Sequence, residues 1–185
     1  SSQISDFTVY EDTSFNGIMK MGAVPTRTCM NYIDGMYREC LLAYFDGNKK
    51  IVYVKKNGSI VGRAVIRLTK TVNRVVDQDS VLKFTDVTEE HEKQEITEEP
   101  VIETPVLFLE RCYSGVQGNG RVELEAALIR FVSEKAKEMG CELIIASDYI
   151  KGSLSEAGAS DFEPDRRFIF ITKSKAGDQY LDSFG

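Results

Sequence analysis

Gly115, Gly118 and Gly120 fall within the run Ser114-Gly115-Val116-Gln117-Gly118-Asn119-Gly120-Arg121, directly ahead of a long stretch with helical apolar spacing. Glycines let successive amides turn the same way without side-chain obstruction, and the first turn of a helix leaves its amides without internal partners. Gly118 to Val122 therefore reads as an anion nest of a size that suits a pyrophosphate. The competing reading is a plain connection whose glycines only make room for a turn. Arg63 and Arg67 interrupt the otherwise apolar Ile60 to Leu68 and, four apart on a strand, face the same side. They either bind a carboxylate or phosphate or lay their stems on the sheet with the charged heads in water. Cys29 follows Thr26-Arg27-Thr28 just ahead of a helical pattern, where amides and Arg27 would favour a thiolate. Thiol catalysis also needs an oriented base, and the single histidine, His91, sits among Glu89, Glu90 and Glu92. His91 with Cys40, Cys112 and Cys141 has no zinc spacing, and Asp161, Glu163 and Asp165 lack a glycine-centred calcium loop, so no metal is expected.

These residues need elements to place them. A short strand is expected around Phe7 to Tyr10, then a loop or brief helix. Tyr32, Ile33, Met36, Tyr37, Cys40, Leu41, Tyr44 and Phe45 have the spacing of an amphipathic helix, with the tyrosines as core and rim rather than a nucleic-acid platform. Lys50 to Lys55 and Ser59 to Thr69 form a hairpin about Asn57-Gly58, the pair that suits a tight left-handed turn. Val101 to Tyr113 reads as a central strand entered through Pro100 and Pro105. Val122 to Met139 is a helix with Leu124, Leu128, Phe131, Val132, Ala136 and Met139 buried, stopped by Gly140. Glu142 to Ser147 is the next buried strand, with Cys141 packed inside, and Gly152 to Asp165 a loop or weak helix. Arg167 to Thr172 and Gln179 to Asp182 are a last strand pair.

The 185 residues, 42% of them apolar, suit one sizeable domain that buries about two-thirds of its unfolded surface. Twenty-nine carboxylates against 23 Lys and Arg leave a net charge of −6, which repels phosphate backbones and argues against nucleic acid. No stretch approaches the roughly 20 apolar residues of a membrane span, and no basic-then-apolar leader opens the chain. Four cysteines without a CxxC pair fit reduced thiols, so a cytoplasmic setting is expected. Asp86 to Pro100 holds seven carboxylates and one Lys and is expected to be a solvated insertion. The chain opens on Ser-Ser-Gln and stops at Ser183-Phe184-Gly185, which suggests an excised part of a larger protein.

Together the hairpin Ile51 to Ala64, the strand Val106-Leu107-Phe108-Leu109-Glu110-Arg111-Cys112-Tyr113, the turn Gly118-Asn119-Gly120-Arg121 and the helix and strand that follow resemble the GCN5-related N-acetyltransferase (GNAT) superfamily over about half the chain. The resemblance implies an α+β, α/β/α-layered domain with a mixed, largely antiparallel sheet, the hairpin supplying its second and third strands. It also implies acetyl-CoA as cofactor and transfer to an amine of a small molecule or protein. Glu110, Arg111, Cys112 and Tyr113 would line the pantetheine arm, in an open V between strands near Glu110 and Cys141. Gln117, Gly118, Asn119, Gly120 and Arg121 would cradle the phosphates. Glu110 would be the base and Tyr149 the acid toward the departing thiolate; the alternatives are a Glu110 that forms a salt bridge to Arg111 or is an edge carboxylate, and a Tyr149 that caps the core. The acceptor would lie between the N-terminal segment and the loop after Tyr149. Where the family has Gln or Arg three residues before its first glycine, Gly115 stands here and Gln117 follows two residues later. That difference and the chain's ends motivate the alternative of a non-catalytic GNAT-like interaction domain.

Overall fold

Alternating β-branched and aromatic residues build the sheet. A computed structural model of the chain describes residues 6–45, 47–72, 102–158 and 168–169. Strands β2 (Lys49–Lys56) and β3 (Ser59–Val72) form the expected hairpin, with Asn57 and Gly58 at φ 51° and 78°, the left-handed pair its tight turn needs. β1 (Phe7–Asp12) pairs with β2, and β4 (Glu103–Leu109) pairs with β3, all antiparallel. β6 (Glu142–Ile145) lies parallel to β4, as a strand–helix–strand crossover requires. The order is β1-β2-β3-β4-β6, while the two-residue strands β5 (Tyr113–Ser114) and β7 (Phe168–Ile169) also pair with β3. This is the α+β arrangement with a mixed, largely antiparallel sheet that the resemblance implies, and the hairpin takes the second and third places.

The period of two sends neighbouring residues to opposite faces. Val52, Val54, Ala64, Ile66, Leu107 and Leu109 join Leu124, Leu128 and Val132 of helix α2 (Asn119–Met139) in one core. Ile51, Tyr53 and Val65 meet Ile18 of helix α1 (Phe15–Met19) with Met21, Met30, Leu41 and Tyr44 in another. Full burial of each Val, Leu, Ile or Met side chain among these stabilises the fold by about 1.5–3 kcal/mol. Gly62 marks how close α2 comes, since a Cβ there would lie 2.8 Å from Leu124 Cδ1.

Several expectations change. The helix over 32–45 reduces to a 3-10 segment, Arg38–Phe45, with Cys40, Leu41 and Tyr44 buried and Tyr32, Ile33, Met36 and Tyr37 exposed. The chain leaves the helical path after one turn: Gly35 N reaches Asn31 O (2.7 Å), but Tyr37 N turns back to Cys29 O (2.8 Å) and Arg38 N to Gly35 O (3.2 Å), while a Cβ on Gly35 would collide with Cys29 and Asn31 backbone. The single strand 101–113 is broken between β4 and β5. α2 starts at Asn119, three residues before the expected Val122, Phe131 is only half-buried and Met139 at its end is exposed; Gly140 closes it at φ 65°, as expected. β6 stops at Ile145, with Leu143, Ile144, Ile145 and Cys141 only half-buried. Helix α3 (Lys151–Glu156) occupies the start of the expected loop or weak helix. The acidic stretch 86–100, His91, Asp161, Glu163, Asp165 and the strand at 179–182 lie outside the described residues.

Candidate functional site

The break after β4 makes the site. Glu110 N donates to Val65 O (2.9 Å), and pairing resumes at Tyr113 with Arg63. Between the pairs Ile66–Leu109 and Arg63–Tyr113, β3 advances three residues and the other chain four. The extra residue is a β-bulge, which bends the strand and re-aims its groups. Among the described residues the Cys112 amide has no hydrogen-bond acceptor. On the other side, Ala146 N donates to Leu109 O (2.9 Å), the last backbone bond before the two chains part. Ala146, not Cys141, is therefore the neighbour of Glu110, and Cys141 sits at the far end of β6. Side-chain contacts among the described residues cross the parting. Tyr149 Oη donates to Glu110 O (2.8 Å), and Arg111 Nε donates to Asp148 Oδ2.

The glycine turn follows on one wall of that parting. Gly115 N donates to Val61 O (2.8 Å), and the Ser114 hydroxyl accepts from Val116 N (3.1 Å) and donates to Val116 O (2.8 Å). Gly118 caps α2 at φ 58° and ψ −136°, a conformation open to glycine. Its carbonyl accepts from Arg121 N (3.1 Å) and Val122 N (3.3 Å), so the expected nest loses those two amides. The amides of Gln117, Gly118, Asn119 and Gly120 find no acceptor among the described residues. A Cβ on Gly118 would meet nothing within 4 Å, which leaves space in front of the turn.

Charge lies deeper than the arginine spacing indicates. Arg63 and Arg67 are each 2% exposed, so the reading with heads in water fails. Arg67 Nε (2.8 Å) and Nη2 (2.7 Å) both reach Glu110 Oε1. Arg63 Nε donates to Val24 O (3.1 Å) and its guanidinium lies 4.0 Å from the Tyr113 ring centroid. Glu110 thus pairs with Arg67, while Arg111, its expected alternative partner, pairs with Asp148. Burial holds the Tyr149 phenol well above its ordinary pKa, with the nearby Cys112, Glu125, Asp148 and Glu110 adding to the shift.

The thiols separate by burial. Removal from water, then the Glu125 charge, push the Cys112 pKa up to about 12. Cys29 is exposed, but the chain after it forms turns rather than a helix, and Arg27 pairs with Asp34. The helix-terminal argument for a Cys29 thiolate is therefore lost. With an alkylating reagent on the native protein, Cys29 is expected to label first and Cys40 and Cys112 only on unfolding; mass spectrometry that finds Cys112 labelled early would contradict this packing. Among the described residues no His, Cys, Asp and Glu group could hold a metal ion, and no helix is long and apolar enough to cross a membrane.

Glu125 was not singled out by sequence. It is fully buried on α2, and its signal was a carboxylate inside an apolar stripe four residues after Arg121. Its Oε1 accepts from Arg121 Nε (2.8 Å), and its Oε2 from Ile150 N (2.9 Å) and Ser153 Oγ (2.9 Å). Arg67 and Glu110 both stand out in the sequence but their pairing does not, because it joins two strands 43 residues apart.

The fold and site define an α+β domain in which a bulged strand, an amide-rich turn and a helix follow one another. No family model and no curated relative matches the chain. Among solved structures it is similar to a transcriptional regulator from Bacillus halodurans C-125, at 15% identity and TM-score 0.47 over 86% of this chain and 95% of that one. It is also similar to glucosamine-6-phosphate N-acetyltransferase from Arabidopsis thaliana, at 14% identity and TM-score 0.46 over 95% and 99%. A third is an aminoglycoside antibiotic 6'-N-acetyltransferase from Acinetobacter baumannii, at 12% identity and TM-score 0.43 over 91% and 98%.

Proposed function

We propose that this chain is an acyl-CoA-dependent N-acetyltransferase that transfers directly to an amine of a small molecule or protein. One observation carries the reading: the amides of Gln117 to Gly120, which have no acceptor among the described residues, stand at the start of α2 beside the parting of β4 and β6. Such amides and the helix dipole suit a pyrophosphate, and Arg121 adds a cation at the same turn. Glu110 to Tyr113 run along the pantetheine arm. Acetyl-CoA supplies an acyl carbon open to attack by an amine. The Cys112 amide, set by the bulge, is the donor for charge that gathers on the acyl oxygen. Glu110 takes the amine proton, directly or through water, with its carboxylate oriented by Arg67. Tyr149 donates to the departing sulfur only by releasing the Glu110 carbonyl that it holds.

The second reading, a non-catalytic interaction domain, is favoured by those internal bonds: the Glu110 carboxylate and the Tyr149 hydroxyl both have protein partners. Titration with CoA by calorimetry decides between the two. Heat and saturation at or below about 1 mM ligand are expected. Ligand at a hundredfold excess over Kd should raise stability by about 2.7 kcal/mol. Neither heat nor stabilisation at that concentration would leave the interaction domain as the function.

A further inference from the structure

Glu125 carries a fully buried carboxylate with three donors from two parts of the chain. A carboxylate in such a place persists only when charge and hydrogen bonds compensate it. The positions of those donors go beyond compensation. Arg121 ends the glycine turn on the α2 wall of the parting. Ile150 caps α3 on the opposite wall and follows Tyr149, whose hydroxyl holds Glu110 O. One side chain therefore ties together both walls. Arg121 is held by its inner nitrogen, Nε, and its side chain remains one-third exposed (33%). Among the described residues its two outer nitrogens have no acceptor. A planar guanidinium fixed at Nε presents those outer nitrogens in one direction.

We infer that Glu125 is a positioning residue for coenzyme phosphate: it aims the outer nitrogens of Arg121 at the anion bound by the glycine turn and fixes the facing loop at Ile150. This rests on the coenzyme reading above. A carboxylate that only stabilised the fold would weaken every part of the coenzyme alike. A positioning carboxylate acts on the phosphates and spares the pantetheine arm.

The test compares the dissociation constants of CoA and of pantetheine, which lacks the pyrophosphate and nucleotide. Glu125→Gln removes the charge at nearly constant shape, and Glu125→Asp keeps the charge but shortens its reach to Arg121. For either, CoA affinity is expected to fall about tenfold, the scale of one hydrogen bond between charged groups, with pantetheine affinity unchanged. Arg121→Ala should produce the same selective loss, and adding it to Glu125→Gln should produce no further loss. Equal losses for CoA and pantetheine would overturn the inference, as would fully additive losses in the double variant. If neither Glu125 variant folds, Arg121→Ala on its partly exposed side chain still decides, because undiminished CoA affinity there overturns the inference. Failure of the unmodified chain to bind CoA would overturn the coenzyme reading itself, and this inference with it.

Discussion

Gly120→Glu is expected to abolish measurable CoA binding while leaving the fold as stable as before, or more so. Gly120 lies in the first turn of α2, and a Cβ there would meet only Val116 Cβ (3.7 Å) and Cγ2 (3.8 Å), ordinary van der Waals contacts. Replacing a helical glycine gains up to about 1 kcal/mol, and a carboxylate in a first turn favourably meets the helix dipole by about 0.3–1 kcal/mol. The same carboxylate would stand within about 5 Å of a pyrophosphate held by the Gln117 to Gly120 amides. At an effective dielectric of about 20 the repulsion per charge pair is roughly 3 kcal/mol, more than a hundredfold in affinity. Stability and binding therefore move in opposite directions, which a general structural defect cannot produce. Calorimetry with CoA and thermal unfolding of the same sample check both signs. Undiminished affinity would remove the turn from the site.

The parts of this site that were legible in sequence are those set by local chain chemistry. Asn57-Gly58 demands its turn, Gly140 ends its helix, and Gly118 supplies a backbone that other residues resist. What stayed hidden depends on partners distant in sequence. Arg67 and Glu110 meet only because β3 and β4 pair with Arg67 opposite Phe108, and no local pattern fixes that register. The bulge at 110–112 is likewise a mismatch in advance between two strands, visible only once both are placed. The helix expected over 32–45 failed for a reason that periodicity overlooks: Tyr37 N turns back to Cys29 O, and Gly35 packs against the Cys29 and Asn31 backbone. Periodicity also concealed Glu125, since a carboxylate within a buried stripe reads as an exposed position until its donors from 150 and 153 are known. The amide nest was half legible. Its glycines were evident, but the loss of the Arg121 and Val122 amides to the Gly118 carbonyl was not.

Glu110→Ala is expected to destabilise the fold by about 3–5 kcal/mol, because it takes the carboxylate away from a guanidinium that stays buried. For a chain of this size that corresponds to a fall in Tm of roughly 6–20 °C. Arg67→Met should cost a similar amount by leaving Glu110 buried without that cation. The double variant Glu110→Leu with Arg67→Met fills the same space with apolar atoms and should recover most of the loss, since buried ion pairs replaced as a unit are often close to neutral. Urea unfolding of the three variants measures the coupling, and additive losses would show that the pair is not a unit. The same set separates stability from chemistry. If Glu110 takes the amine proton, the refolded double variant stays inactive although its stability returns. If it regains acetyl transfer together with stability, Glu110 serves to hold β4 against β3 at the bulge, and the proton must leave by another route.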